Sequence, residues 1–154
     1  MTDSSAPPDG AQPPVHFDPA KLELKLSVTL SADRNAVDQV VRSVMNVVRD
    51  NGCSPGREDD IELALAEALA NAVVHGAKND PSKTVECDVA CNHQGSILIV
   101  VRDPGPGFDP SQIADPCTGE NIYSHHGRGI FLINQLMDEV RFHKNGTEIH
   151  MIKK

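Results

Sequence analysis

The sequence predicts an α+β domain, and three observations carry that prediction. Lys21 to Leu30 alternates strictly, with Leu22, Leu24, Leu26, Val28 and Leu30 on one side and charged or hydroxylated residues on the other. That is the period of a half-buried strand. Two helical patterns follow back to back, and beyond them come two strands, a glycine-rich loop, one more helix and a final strand pair. Strands and helices grouped in this way give a mixed layer arrangement.

The elements justify themselves in order. Residues 1–20 carry Pro7, Pro8, Pro13, Pro14 and Pro19 among small polar neighbours, which excludes a helix or an inner strand. They read as a flexible Pro-rich leader, or less simply as a partner-binding tail, ahead of a domain over 21–154. After the first strand, Ser31 or Asp33 can cap a helix from Asn35 to Asp50, where Val37, Val40, Val41, Val44, Val47 and Val48 recur at helical spacing. Asn51-Gly52 stops it, and Ser54-Pro55-Gly56 makes a turn.

The next helix, roughly Arg57 to Ala77, organises the chain. Glu67, Asn71 and His75 follow one another at spacings of four, so on a regular helix they form one polar stripe. Ile61, Leu65, Ala68, Leu69, Ala72 and Val73 surround that stripe with apolar surface, and Gly76 suits a stop or a close approach to a ligand. Asn79-Asp80-Pro81 is turn chemistry. Strands are expected over Thr84–Asn92 and Ser96–Arg102. The second is almost wholly apolar and belongs inside a sheet covered on one or both faces. DPGPGFDP at Asp103–Pro110 and a polar stretch to His126 lead into GRGIFLINQLMDEV, whose Ile130, Ile133, Leu136 and Met137 are spaced to bury one helix face. Val140–His143 and Glu148–Ile152 close the chain as a hairpin around Asn145-Gly146.

Composition narrows the function. A chain of 154 residues, 39% hydrophobic, supports one core, which is aliphatic because there is no Trp, one Tyr and four Phe. The net charge of −8 argues against sequence-independent nucleic-acid binding, which needs a basic surface. No apolar run reaches the length of a membrane span, and no secretory leader is present, so a cytoplasmic location is expected. Cys53, Cys87, Cys91 and Cys117 lack paired CxxC spacing and read as free thiols rather than a zinc site or a disulfide framework.

Three segments carry chemistry. A carboxylate and an amide one turn apart, Glu67 and Asn71, can divide proton acceptance and Mg²⁺ ligation around a nucleotide. Asp103, directly after a buried strand, can accept a hydrogen bond from an exocyclic amine such as that of adenine. Gly105 and Gly107 allow close backbone approach there. Gly127-Arg128-Gly129 opens a helix whose free N–H groups and dipole can bind phosphate. Taken alone, each is better matched by a solvated helix face, an ordinary turn or a flexible helix entry.

Together the segments resemble the nucleotide-binding Bergerat fold shared by gyrase, sensor histidine kinases and MutL. The resemblance runs from about residue 22 to the C-terminus. EALANAVVHG looks like the N-box, DPGPGF the G1 box, GRGIFLI the G2 box, and GTEIHMIK the last strand. Within that family the chain is most similar to the stand-alone serine/threonine kinases that act as anti-sigma factors. The resemblance implies a two-layer sandwich: a mixed, mostly antiparallel sheet covered on one face by helices. It implies ATP and Mg²⁺ as cofactors, with Glu67 the general base, Asn71 the Mg²⁺ ligand and Asp103 the adenine reader. Gly105 and Gly107 would shape the base pocket, Gly127, Arg128 and Gly129 would sit by the phosphates, and Thr147 would support Asp103. The lid would be Pro110–His126, and a packing role for His75 is as compatible as one near phosphate. The implied partners are a sigma factor and an anti-anti-sigma protein of STAS type, with a homodimer expected. The competing reading is a nucleotide-gated binding module with little or no phosphoryl transfer; a hydrolase within a larger machine fits less well.

Overall fold

The computed structural model describes residues 22–107 and 125–154. The expected leader and most of the expected lid lie outside the described residues. The first strand, β1, covers Leu22–Ser31, followed by helices α1 over Arg34–Asp50 and α2 over Glu58–Asn71. A single π-helical turn, Ala72–Gly76, continues α2. Strands β2 (Thr84–Asn92) and β3 (Ile97–Arg102), helix α3 (His125–Leu136), and strands β4 (Glu139–His143) and β5 (Glu148–Lys153) complete the order.

The sheet runs β1-β2-β3-β5-β4, and all four pairings are antiparallel. Register decides which face is apolar. Leu26 stands opposite Val89, Val89 opposite Ile99, and Ile99 opposite Met151, so one continuous row crosses four strands. Cys87, Val101 and Ile149 make the next row. Helices cover this face. Val37, Val41, Val44, Met45 and Val48 of α1 are buried, as are Ile61, Ala64, Leu65, Ala68 and Leu69 of α2. Each large aliphatic side chain taken wholly from water contributes about 1.5–3 kcal/mol, so this shared core fixes how α2 sits over β3.

Local chemistry sets the helix ends. The Asp33 carboxylate accepts from the Asn35 N–H at 2.9 Å and caps α1, the second of the two anticipated caps. Helix α2 begins with Glu58, Asp59 and Asp60, which favour the positive end of the helix dipole.

Two features differ from expectation. Cys53 and Cys91 are bonded to each other, their Cα atoms 6.0 Å apart, and Cys87 is a free buried thiol, while Cys117 lies outside the described residues. Sequence spacing gives no hint of that pair, because the turn after α1 meets the end of β2 only once the core assembles. The second helix is also not regular to its end. At Ala72–Gly76 the hydrogen bonds shift from i+4 to i+5, as in the Ala77 N–H to Ala72 carbonyl bond at 2.8 Å.

The opposite face of the sheet is charged. Arg102 bonds Asp88 at 2.5 Å and lies 3.5 Å from Glu148, which in turn contacts His150 at 2.7 Å and Lys144 at 3.3 Å. Burial would raise the Asp88 and Glu148 carboxyls, but these cationic partners and hydrogen bonds outweigh it and hold both below the ordinary carboxylate range.

Candidate functional site

A cavity of about 290 Å³ opens between the end of α2, the end of β3, the middle of α3 and the β4–β5 hairpin. Val101, Ile130, Ile133 and Ile149 give it an apolar floor, while Asn71, His75, Lys78 and Asp103 supply polar groups. An apolar cleft with a few convergent polar side chains is the usual form of a small-molecule site.

At one end lies Asp103. Its backbone N–H donates to the Thr147 carbonyl at 2.9 Å, and its Oδ1 accepts from the Gly105 N–H at 2.8 Å. Burial pushes the carboxyl above its usual range, and the Gly105 N–H works against that push. Among the described residues no hydrogen bond is made to the second carboxylate oxygen, an acceptor of the kind an exocyclic amine needs.

Glycines set the spacing around this aspartate. Any side chain at Gly76 would overlap the Asp103 carboxylate, and one at Gly105 would run into the Gly76 carbonyl. The close approach anticipated for Gly76 is therefore to Asp103. Gly107 has φ +81° and lies against the Asn145 carbonyl, so both its backbone conformation and its neighbour require glycine.

Beside Asn71, which lines the cavity, α2 meets α3. A Cβ placed on Gly129 would stand 3.0 Å from Glu67 Oε2 and 3.1 Å from Asn71 Nδ2. The glycine segment, the carboxylate and the amide are thus brought together. Gly127–Gly129 lie inside α3, which starts two residues earlier at His125 than the sequence implies. Arg128 is exposed on this first part of α3. His75 does not continue the stripe: the π turn puts the i+5 residue, Gly76, where a regular helix would put His75, and the imidazole sits exposed at the cavity edge. Such single π turns recur at functional sites.

Thr147 is placed less directly. Its hydroxyl donates to the Lys144 carbonyl at 2.7 Å, closing the β4–β5 turn, and its side chain lines a second, polar cavity with Arg102, Lys144 and Glu148. Its tie to Asp103 runs through the main chain. Lys78 and Phe142 line the principal cavity without having been singled out in the sequence. Nothing local in the sequence marks either of them.

This geometry agrees with comparison to known proteins. Residues 30–153 match the family described as histidine kinase-like ATPase domain. The chain belongs to that family. A serine-protein kinase RsbW of Staphylococcus epidermidis is 31% identical over 135 residues, spanning 83% of this chain and 85% of the relative. An anti-sigma F factor of Clostridium novyi is 32% identical over 102 residues, spanning 62% of this chain and 69% of the relative. Among solved structures, the RsbU and RsbW domains of a Mycobacterium tuberculosis protein align with TM-score 0.58 at 21% identity. That match covers 84% of this chain and 31% of that one, and it supports the fold.

For a member of an ATPase family the residues fit the nucleotide. Asp103 offers a carboxylate acceptor at the end of an apolar slot, and the Gly129 backbone approaches Glu67 and Asn71 where a side chain would intrude. The Asn71 carboxamide supplies the oxygen donor that a hard divalent cation prefers. Among the described residues no helix is long and apolar enough to cross a membrane.

Proposed function

We propose that this chain is an ATP-dependent protein serine/threonine kinase of the anti-sigma type, with its kinase-like domain over residues 21–154. The observation that carries the reading is the convergence of Glu67 and Asn71 on Gly129, with Asn71 and Asp103 lining one cavity. The names of its relatives, a serine-protein kinase and an anti-sigma factor, support it.

In this reading Asp103 accepts a hydrogen bond from the adenine amine, and Gly105 and Gly107 let the main chain close on the base. Thr147 steadies Asp103 through its carbonyl. Gly127, in the first turn of α3, offers a backbone N–H to the phosphates, Arg128 adds its guanidinium, and Gly129 keeps the helix close to Glu67 and Asn71. Mg²⁺, when bound, neutralises phosphate charge, and Asn71 is its proposed protein ligand. Glu67 accepts the proton of the substrate hydroxyl as its oxygen attacks the γ-phosphorus and ADP departs with the bridging oxygen. Such a site works by positioning and electrostatics. The protein substrate is an anti-anti-sigma antagonist of STAS type, the sequestered partner is a sigma factor, and the protein acts in the cytoplasm as a homodimer.

The test uses γ-labelled ATP with Mg²⁺ in a lysate of the source cells, comparing wild type with Glu67→Gln after calorimetry on both. Label transferred to serine or threonine of a small protein by wild type alone is the expected result. Nucleotide binding without transfer, with the partner present, refutes the kinase and leaves a nucleotide-gated binding module.

A further inference from the structure

We propose that Lys78 is a phosphate-binding residue of this site, its ammonium meeting the phosphate chain of the nucleotide; the inference rests on the ATP-site reading. Three observations place it there. Lys78 lines the principal cavity together with Asn71 and Asp103, and it brings the one fixed positive charge among the described residues that line it. Its neighbourhood is otherwise hostile to a polyanion, with the Asp103 carboxylate lining the same cavity and a net charge of −8 on the chain. Among the described residues no carboxylate forms an ion pair with it, in contrast to Lys144 and Lys153.

The backbone holds Lys78 in this position at a cost. Its φ is +54° and that of Asn79 is +58°, the left-handed region that a lysine enters reluctantly. Glycine is the usual residue just past a helix end in this conformation, because it pays no steric penalty. Here a long cationic side chain takes the position instead. The segment is fixed by the Asn79 N–H bond to the Val73 carbonyl at 2.9 Å and by the Asp80 N–H bond to the Ala77 carbonyl at 3.1 Å, with Ala77 fully buried. The π turn before it sets the direction in which the chain leaves α2. An unusual backbone maintained by a buried anchor, presenting a charge to a cavity, is a pattern found at ligand sites.

The experiment measures ATP and adenosine binding by calorimetry to wild type, Lys78→Asn and Lys78→Arg. Asparagine removes the charge while entering the left-handed region readily, and the residue is exposed, so the fold is kept. Lys78→Asn should weaken ATP about tenfold and leave adenosine unchanged, with Lys78→Arg close to wild type. The ATP deficit should shrink as salt is added. Unchanged ATP affinity in Lys78→Asn overturns the role of Lys78, as does equal weakening of ATP and adenosine, which marks a packing or base-contacting residue. A wild type that binds neither ligand overturns the ATP site itself, and the two failures are thus distinguishable.

Discussion

Replacing Gly76 by alanine tests the physical centre of the site. The added methyl would overlap Cβ, Cγ and Oδ1 of Asp103. Asp103 cannot simply yield, because its N–H is held by the Thr147 carbonyl and its Oδ1 by the Gly105 N–H, while Gly105 itself abuts the Gly76 carbonyl. The π turn must retreat from β3 or the carboxylate must rotate away from Gly105. Overpacking of this kind costs about 1–3 kcal/mol, and a lost hydrogen bond to a charged group costs about 1.5–3 kcal/mol. Part of each is recovered by relaxation, so about 2–4 kcal/mol is expected in total. For a chain of this length that lowers Tm by about 5–15 °C. Thermal unfolding of Gly76→Ala, of Asp103→Gly and of the double variant closes a cycle. If the overlap is with the aspartate side chain, the alanine should cost at least about 1 kcal/mol less when Asp103 is glycine. An equal cost in both backgrounds would refute the reasoning, because the penalty would then arise from the helix and not from the contact.

Other expectations follow from the same geometry. Gly129→Ala should cut phosphoryl transfer more than tenfold, because its Cβ crowds Glu67 Oε2 and Asn71 Nδ2, yet Tm should hold or rise, since alanine favours a helix interior by about 1 kcal/mol; unchanged turnover would contradict the placement. Asn71→Ala should abolish Mg²⁺-dependent turnover, checked by titrating Mg²⁺ in the kinase assay. The raised Asp103 carboxyl predicts that adenosine affinity falls as pH drops through a value above the ordinary carboxylate range, since only the ionised form is purely an acceptor. The depressed Asp88 and Glu148 carboxyls contribute stability that is present above the ordinary carboxylate value and is lost as pH falls through the lower folded values. Arg102→Leu should therefore move the acid-unfolding midpoint upward. Mass spectrometry of unreduced protein should find Cys53 linked to Cys91, and Cys87 should resist alkylation until unfolding, its thiol being buried and pushed up to about 12.

The sequence by itself determined the elements and their faces. Periodicity is a property of neighbours along the chain, so the alternation from Leu22 to Leu30 and the valine spacing of α1 could be read without a fold. The glycine-rich segments and the Glu67–Asn71 spacing were legible for the same reason, and of their residues Asn71, Asp103 and Gly107 line the cavity.

Contacts between distant segments were decided only in the tertiary structure. Nothing local distinguishes a regular turn at Ala72–Gly76 from a π turn; packing of Gly76 against Asp103 accompanies the choice, and it takes His75 out of the stripe. Cys53 and Cys91 lie 38 residues apart, and only the meeting of the α1–α2 turn with β2 makes them partners. Thr147 was legible as a candidate, but the direction of its hydroxyl was set by the β4–β5 turn. Lys78 had no motif to mark it, because its importance comes from a backbone angle and from the cavity that three other elements build around it. Local pattern follows from each residue's own propensity and period, whereas a site's charge balance follows from where the folded core leaves room.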